Sequence, residues 1–197
     1  MKFYSTTTLL LLLLVTSFKV AAQRLKLTDG SLTALKNESS ISTSFTYDDM
    51  KVGKFDKESE YVNNKKADYN KKEAGKGDTW AKNWESDRAA RFEPKFDELL
   101  EKASDLTIKK GSKYTLIFKT TFTEPGFNIG IMRKNAEING DAWVVETANP
   151  TTAIAKISVE KALGRTFGGY DFDTGERISE AYADAAKALG SFIKKNY

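Results

Sequence analysis

The 197 residues include no cysteine and no histidine, and these absences exclude most familiar catalytic chemistries. Such a chain cannot form a Ser-His-Asp triad, a Cys-His nucleophile or a zinc site of the usual kind. A general base would have to be a carboxylate, lysine or tyrosine with a strongly shifted pKa. Carboxylate-pair hydrolysis and hard-metal chemistry stay open. Because no catalytic motif is recognisable, we expect a protein that is not an enzyme and has no cofactor.

The lack of cysteine also limits how the protein is stabilised and anchored. No disulfide can form, so stability must come from an ordinary hydrophobic core. A lipoprotein needs a cysteine directly after its cleavage point, and Gln23 occupies that position here. We therefore expect no lipid anchor.

Long apolar runs are scarce, and the single example lies at the N-terminus. Lys2 precedes the apolar segment 8–15, which has six consecutive leucines, and Val20-Ala21-Ala22 provides small residues before Gln23. This pattern is typical of a secretory signal peptide, and the segment is shorter than the ~20 residues of a membrane-spanning helix. We expect cleavage after residue 22. Residues 23–197 would then form a single exported domain, periplasmic or secreted, without a membrane anchor.

The charge balance gives no sign of a nucleic-acid partner. Without Lys2 and Lys19 of the leader, 29 Lys and Arg stand against 27 Asp and Glu. A nucleic-acid interface needs a clustered surplus of positive charge, which a nearly neutral chain lacks. The lysines at positions 65, 66, 71, 72 and 76 form a local basic run that acidic residues interrupt, and we expect this run to be a solvated, mobile face.

The pattern of apolar residues predicts strands in two regions. Residues 23–40 form a polar arm that could pair weakly at a sheet edge, and Ile41 to Tyr47 alternates as a half-buried strand does. From residue 113 onward the pattern predicts a β-meander. Its predicted strands are 114–122, 142–147 and 153–161, with turns at Glu124-Pro125-Gly126, Asn139-Gly140 and Asn149-Pro150.

Three helices are predicted. The first begins near Trp80 with Asp78 or Thr79 as its cap, and the second begins at Pro94. The third follows a capping box of Asp173 and Glu176 and covers roughly 18 residues. Its expected buried stripe is Ile178, Tyr182, Ala185, Leu189 and Phe192. The order of elements predicts an α+β fold, an antiparallel β-meander sheet with helices packed on one face and a long C-terminal helix.

Few residues are candidates for a binding site. Trp80 and Trp84 lie four residues apart, which suits a carbohydrate-stacking platform but is also the spacing of core packing, the commoner situation. Phe167 and Tyr170 lie in the glycine-rich segment 164–170 and are candidate contacts for a partner.

A calcium loop is a weaker possibility near the last helix. Asp171 and Asp173 occupy the first and third positions of such a loop, but Glu176 and Tyr182 do not fit its later positions. The capping box explains Asp173 and Glu176 without a metal. We therefore favour the cap and expect no bound metal.

The second half of the chain resembles small envelope domains of the curli-assembly lipoprotein and penicillin-binding-protein-activator type, and related exported proteins of Bacteroidetes-like bacteria. The segments that carry the resemblance are 114–122, 143–147, 154–159 and 177–195, the last with an Ala-Tyr-x-x-Ala-Ala-Lys-x-Leu-Gly run. The missing lipoprotein cysteine departs from that pattern. The resemblance implies a non-enzymatic component that binds or scaffolds another envelope protein. The alternative is a glycan-binding protein or a carboxylate-dependent hydrolase that uses Asp171, Asp173 or the tryptophan pair.

Overall fold

A mixed, mostly antiparallel sheet organises the protein. The computed structural model describes residues 24–129, 131–165 and 172–197. The predicted signal peptide, residues 1–22, lies outside this part. The strands are β1 Arg24–Gly30, β2 Ser40–Thr46, β3 Lys51–Val52, β4 Thr107–Ile108, β5 Tyr114–Glu124, β6 Phe127–Ile129, β7 Met132–Lys134, β8 Ala136–Glu146 and β9 Asn149–Gly164. The helices are α1 Glu58–Lys72, α2 Lys76–Asp87, α3 Glu93–Ser104 and α4 Thr174–Asn196, with a 3-10 turn at Thr33–Leu35 and a π-helical turn at Arg88–Phe92.

The sheet confirms the predicted fold class. Its strand order is β1-β9-β8-β5-β2-β4, with β3 also paired to β5, while β6 and β7 form a separate hairpin. Neighbours β1, β9, β8 and β5 are antiparallel, whereas β2 and β3 run parallel to β5. The polar N-terminal arm does pair at the edge, with Leu25 opposite Val159.

The long C-terminal helix covers the inner face of the sheet. α4 packs against β8, β9 and α3, and its 23 residues exceed the expected length. Ile178, Tyr182, Ala185 and Leu189 are buried as predicted. Phe192 is only partly buried, and Ile193 completes the stripe instead. The buried stripe therefore ends four residues after Leu189, at Ile193, and Phe192 lies at its margin.

The predicted hairpin turn at Asn139-Gly140 is wrong, because both residues lie inside β8. They mark irregular pairing on both sides of the strand. The Asn139 Oδ1 atom accepts a 2.8 Å hydrogen bond from the Lys161 backbone N–H, and Lys161 has a φ of 58°. A Cβ on Gly140 would lie 2.7 Å from the Lys119 carbonyl oxygen. Asn139 thus lies at a β-bulge and Gly140 allows the backbone of β5 to approach closely, so the pair does not form a turn.

The turn predicted at Asn149-Pro150 is also displaced. The turn residues are 147 and 148, and Asn149 already pairs with Glu146 at the start of β9. Proline is tolerated near the first residue of a strand because the missing N–H costs little there. At Glu124-Pro125-Gly126, Gly126 has the positive φ, 66°, that the predicted turn requires, but residues 125 and 126 form neither a hydrogen-bonded turn nor a bend between β5 and β6.

The lysine-rich segment lies in α1 and at the start of α2, where the sequence pattern predicted no helix, and its lysines are exposed or half-buried, as expected for a solvated face. α1 buries Tyr61 and Tyr69, and the Nζ atoms of Lys65 and Lys72 lie 5.4 and 5.7 Å from the centre of the Tyr69 ring. The two tyrosines thus form the core-facing side of α1, and the two lysine side chains lie over the Tyr69 ring.

α2 begins earlier than predicted and without a side-chain cap. Gly75, with a φ of 79°, precedes its first residue, Lys76. Asp78, a predicted cap, instead accepts a hydrogen bond from Asn70 and pairs with Lys66 at 2.6 Å. Within the described ranges, the helices are too short or too polar to cross a membrane.

Candidate functional site

The tip of the β6–β7 hairpin carries an exposed apolar cluster. Ile129, Ile131 and Met132 are 55%, 104% and 60% exposed, and the described part of the chain shows no other large exposed apolar side chain. In the hairpin register Ile129 lies opposite Met132, so two of the three residues form one cross-strand pair. An exposed apolar group of this kind is a common feature of interaction sites.

Contacts at the base of the hairpin fix its direction. Lys134 Nζ pairs with Glu124 Oε2 at 2.6 Å, and a Cβ on Gly126 would lie 2.4 Å from the Lys134 carbonyl oxygen. The buried Arg177 of α4 donates from Nε to the Pro125 carbonyl oxygen at 3.2 Å. The hairpin is therefore connected to the core at its base while its tip faces solvent.

Sequence reasoning missed this hairpin. The motif Ile129-Gly130-Ile131-Met132 is an apolar run shortly after Pro125-Gly126, and apolar residues are ordinarily expected in the core.

The predicted pair Trp80 and Trp84 is buried, at 3% and 8% exposure. Both indoles pack on Tyr61, with ring centres 5.8 and 5.1 Å apart, and Trp84 Nε1 donates to Glu58 Oε1 at 2.6 Å. This burial agrees with the core-packing interpretation. A binding role for the pair stays a prediction.

The structure describes only part of the segment around Asp173. Phe167, Tyr170 and Asp171 lie outside the described residues. Asp173 is the N-cap of α4, and its Oδ1 atom accepts a hydrogen bond from the Glu176 backbone N–H at 3.2 Å, as predicted. It also pairs with Arg91 Nη1 at 2.7 Å. Among the described side chains, no group of three or more carboxylates is placed to hold a metal ion.

Three predicted residues, Trp80, Trp84 and Asp173, converge on one cavity of about 160 Å³. Arg91 separates the two carboxylates of this cavity, with its Nε atom 3.1 Å from Asp87 Oδ1. Burial raises the pKa of Asp87, and nearby Asp173 raises it further against the opposing effect of Arg91. The remaining lining residues are Asn83, Phe92, Phe172, Thr174 and Gly175.

Two tyrosines, the buried Tyr182 of α4 and the partly buried Tyr47, each make a polar side-chain contact. The hydroxyls of Tyr182 and Thr120 are 2.5 Å apart, and Tyr47 donates to Glu93 Oε1 at 3.2 Å. Burial raises the pKa of both phenols above the usual range. Both therefore stay protonated at neutral pH and act in hydrogen bonding, not as bases.

The sequence matches no known protein family and no curated protein. Similar solved structures include two of the PelC dodecamer from Paraburkholderia phytofirmans, one of them a point variant. Identities are 8% for the variant and 7% for the other, and each alignment covers 83% of this chain and 97% of the PelC chain. The TM-scores are 0.35 and 0.36. Similarity at this level assigns neither a family nor a function to the chain.

Proposed function

We propose that the protein is a non-enzymatic, exported module of the cell envelope that binds another envelope protein through the tip of the β6–β7 hairpin. The observation that carries this proposal is the concentration of exposed apolar surface in Ile129, Ile131 and Met132. Burying these side chains in a partner removes them from water, which is favourable in proportion to the apolar area covered.

The fixed base of the hairpin supports a docking role. A protein loses binding free energy when it must order a loop on association. Here the Lys134–Glu124 ion pair and the Arg177–Pro125 hydrogen bond already order the base. Met132 adds a flexible thioether side chain that adapts to irregular apolar pockets.

The charge around the tip indicates the chemistry of the partner. Between Glu124 and Glu137 the sequence has two basic residues, Arg133 and Lys134, and no acidic one. Because Lys134 is already paired with Glu124, we expect the partner to contribute mainly an apolar pocket. The segment also lacks Trp and Tyr, the residues enriched at membrane interfaces, so a protein surface fits better than a lipid surface. The resemblance of the second half to envelope domains points to the same class of partner.

Site-specific crosslinking in the exporting host tests this proposal. A photoreactive residue replaces Ile131 in one variant and Lys82, exposed on α2, in the control. Mass spectrometry identifies the protein crosslinked from position 131, and calorimetry then measures its affinity for the purified chain. We expect the double variant Ile131→Ser with Met132→Ser to bind at least about tenfold more weakly, because truncated apolar anchors cost most at an interface. Lys82→Ser should bind as the wild type does.

Three outcomes contradict the proposal. Crosslinking from position 131 could be no stronger than from position 82, or the double variant could keep its affinity for the crosslinked protein. Alternatively, wild-type protein could bind anionic phospholipid vesicles and the double variant lose that binding, which would assign the tip to a membrane surface.

A further inference from the structure

The cavity next to the π-helical turn lies far along the chain from the hairpin tip and has a different chemistry. Its walls come from α2, from the turn Arg88–Phe92 and from the first residues of α4. Turns of the π type are rare and occur frequently at functional sites. The lining combines aromatic rings with hydrogen-bond donors and hydrogen-bond acceptors. The rings belong to Trp80, Trp84, Phe92 and Phe172, and the polar groups to Asn83, Asp87, Arg91 and Asp173.

We infer that this cavity binds one neutral pyranose ring, such as the terminal sugar of a glycan. A pyranose has an apolar C–H surface and a rim of hydroxyls that both donate and accept hydrogen bonds. Apolar walls with a few placed polar groups suit such a ligand. The Arg91 Nε atom lies 3.1 Å from Asp87 Oδ1. The Asp87 carboxylate can therefore accept a hydrogen bond from one sugar hydroxyl while the Arg91 guanidinium donates one to the neighbouring hydroxyl.

The size of the cavity limits the ligand to a single ring. Its volume of about 160 Å³ is below the ~300–1,000 Å³ of sites for drug-sized ligands. A longer glycan would therefore enter with one end only and keep the rest in solvent.

The mixed charges of the lining favour a neutral ligand over an ionic one. Asp87 and Asp173 oppose an anionic sugar, while Arg91 between them opposes a cation. The Phe172 ring also has a cation nearby, because Lys76 Nζ lies 5.8 Å from its centre. A neutral ligand avoids both repulsions.

Titration of the protein purified from its exporting host tests this inference. The probes are the methyl glycosides of glucose, galactose, mannose and N-acetylglucosamine, followed by changes in amide NMR signals. We expect at least one probe to bind with a dissociation constant on the order of 1 mM, since so small a ligand makes few contacts.

A matched pair of variants locates the site. Asn83 and Lys82 are both exposed on α2, but only Asn83 lines the cavity. Asn83→Trp should fill the space and weaken binding at least about tenfold, while Lys82→Trp should bind as the wild type does. Equal denaturation midpoints of the two variants show that both fold.

Several results would overturn the inference. These are no binding by any of the four glycosides, equal weakening by the two tryptophan variants, or tighter binding of glucuronate or choline than of every neutral probe. The hairpin variant with Ile131→Ser and Met132→Ser should bind sugar as the wild type does. The two proposals are therefore tested by separate measurements, and either can fail without the other.

Discussion

A buried carboxylate oxygen of Asp97 lowers the stability of the protein locally, at α3. Among the described residues, Asp97 Oδ1 is buried and has no hydrogen-bond partner. Burial raises the pKa of this carboxyl, the Thr43 hydroxyl partly offsets the rise, and Glu93 and Glu101 add to it. The folded state therefore favours protonated Asp97. The resulting stabilisation is complete below the ordinary pKa of an aspartate and is lost as the pH rises through the folded-state pKa.

Asp97→Asn should consequently stabilise the protein at pH 7, where the wild type must hold a charged carboxylate in this position. We expect a gain of less than about 1 kcal/mol, since the group keeps partial contact with solvent. Urea denaturation at pH 7 and pH 4 measures the effect, which should shrink at the lower pH. Glu98→Gln, on the exposed side of α3 beside Lys102, is the control and should give no gain. A loss of stability in Asp97→Asn at pH 7 would contradict this account.

Gly190 permits the close contact between the two helices that cover the sheet. A Cβ at this position would lie 2.8 Å from the Ala103 Cβ atom and 2.9 Å from the Leu100 carbonyl oxygen. These distances are below van der Waals contact, so α3 or α4 would have to shift.

Gly190→Ala should therefore destabilise the fold even though alanine favours a helix by ~1 kcal/mol over glycine. Overpacking of a core typically costs ~1–3 kcal/mol, and it should exceed the helix gain here because backbone atoms are involved. Ser191→Ala, at the adjacent exposed position, should stay within about 0.5 kcal/mol of the wild type. Thermal unfolding of both variants checks the comparison, and a more stable Gly190→Ala would mean that the helices separate easily.

The α4 stripe joins the helix to the sheet. Leu189 is fully buried in the core, whereas Lys187 is exposed on the same helix. Leu189→Ala should cost ~2–5 kcal/mol, the range for a leucine removed from a packed core. Lys187→Ala should change stability little. If Leu189→Ala instead leaves the denaturation midpoint unchanged, the stripe is not part of a cooperative core.

For the whole molecule, we predict export with a cleavage site directly before the first described strand. β1 begins at Arg24, so cleavage after Ala22 would keep every described residue that pairs with β9. Mass spectrometry of the protein from its host should show a chain that begins at Gln23. Ala22→Phe should block processing, because the −1 position accepts only small residues, while Gln23→Ser should be processed normally. A retained Met1 or a lipidated terminus in the wild type would contradict the prediction.

The sequence by itself determined the elements whose signals are local. Alternation predicted β2 and a composition rich in Thr, Ile and Phe predicted β5, while Pro94 marked the start of α3 and Asp173 with Glu176 the start of α4. These signals work because a strand or a helix exposes one face and buries the other, and because a cap acts within a few residues.

Only the tertiary structure decided which faces of these elements are buried and what they pack against. It placed Asn139-Gly140 inside β8, since register and bulges depend on the partner strands β5 and β9. It ordered the lysine-rich α1 around Tyr61 and Tyr69, because two buried rings and their contacts outweigh a polar composition. It left the hairpin tip exposed and joined Trp80 and Trp84 to Asp173 around one cavity. Periodicity reports that a face is apolar, but what covers that face is set by contacts between segments distant in sequence.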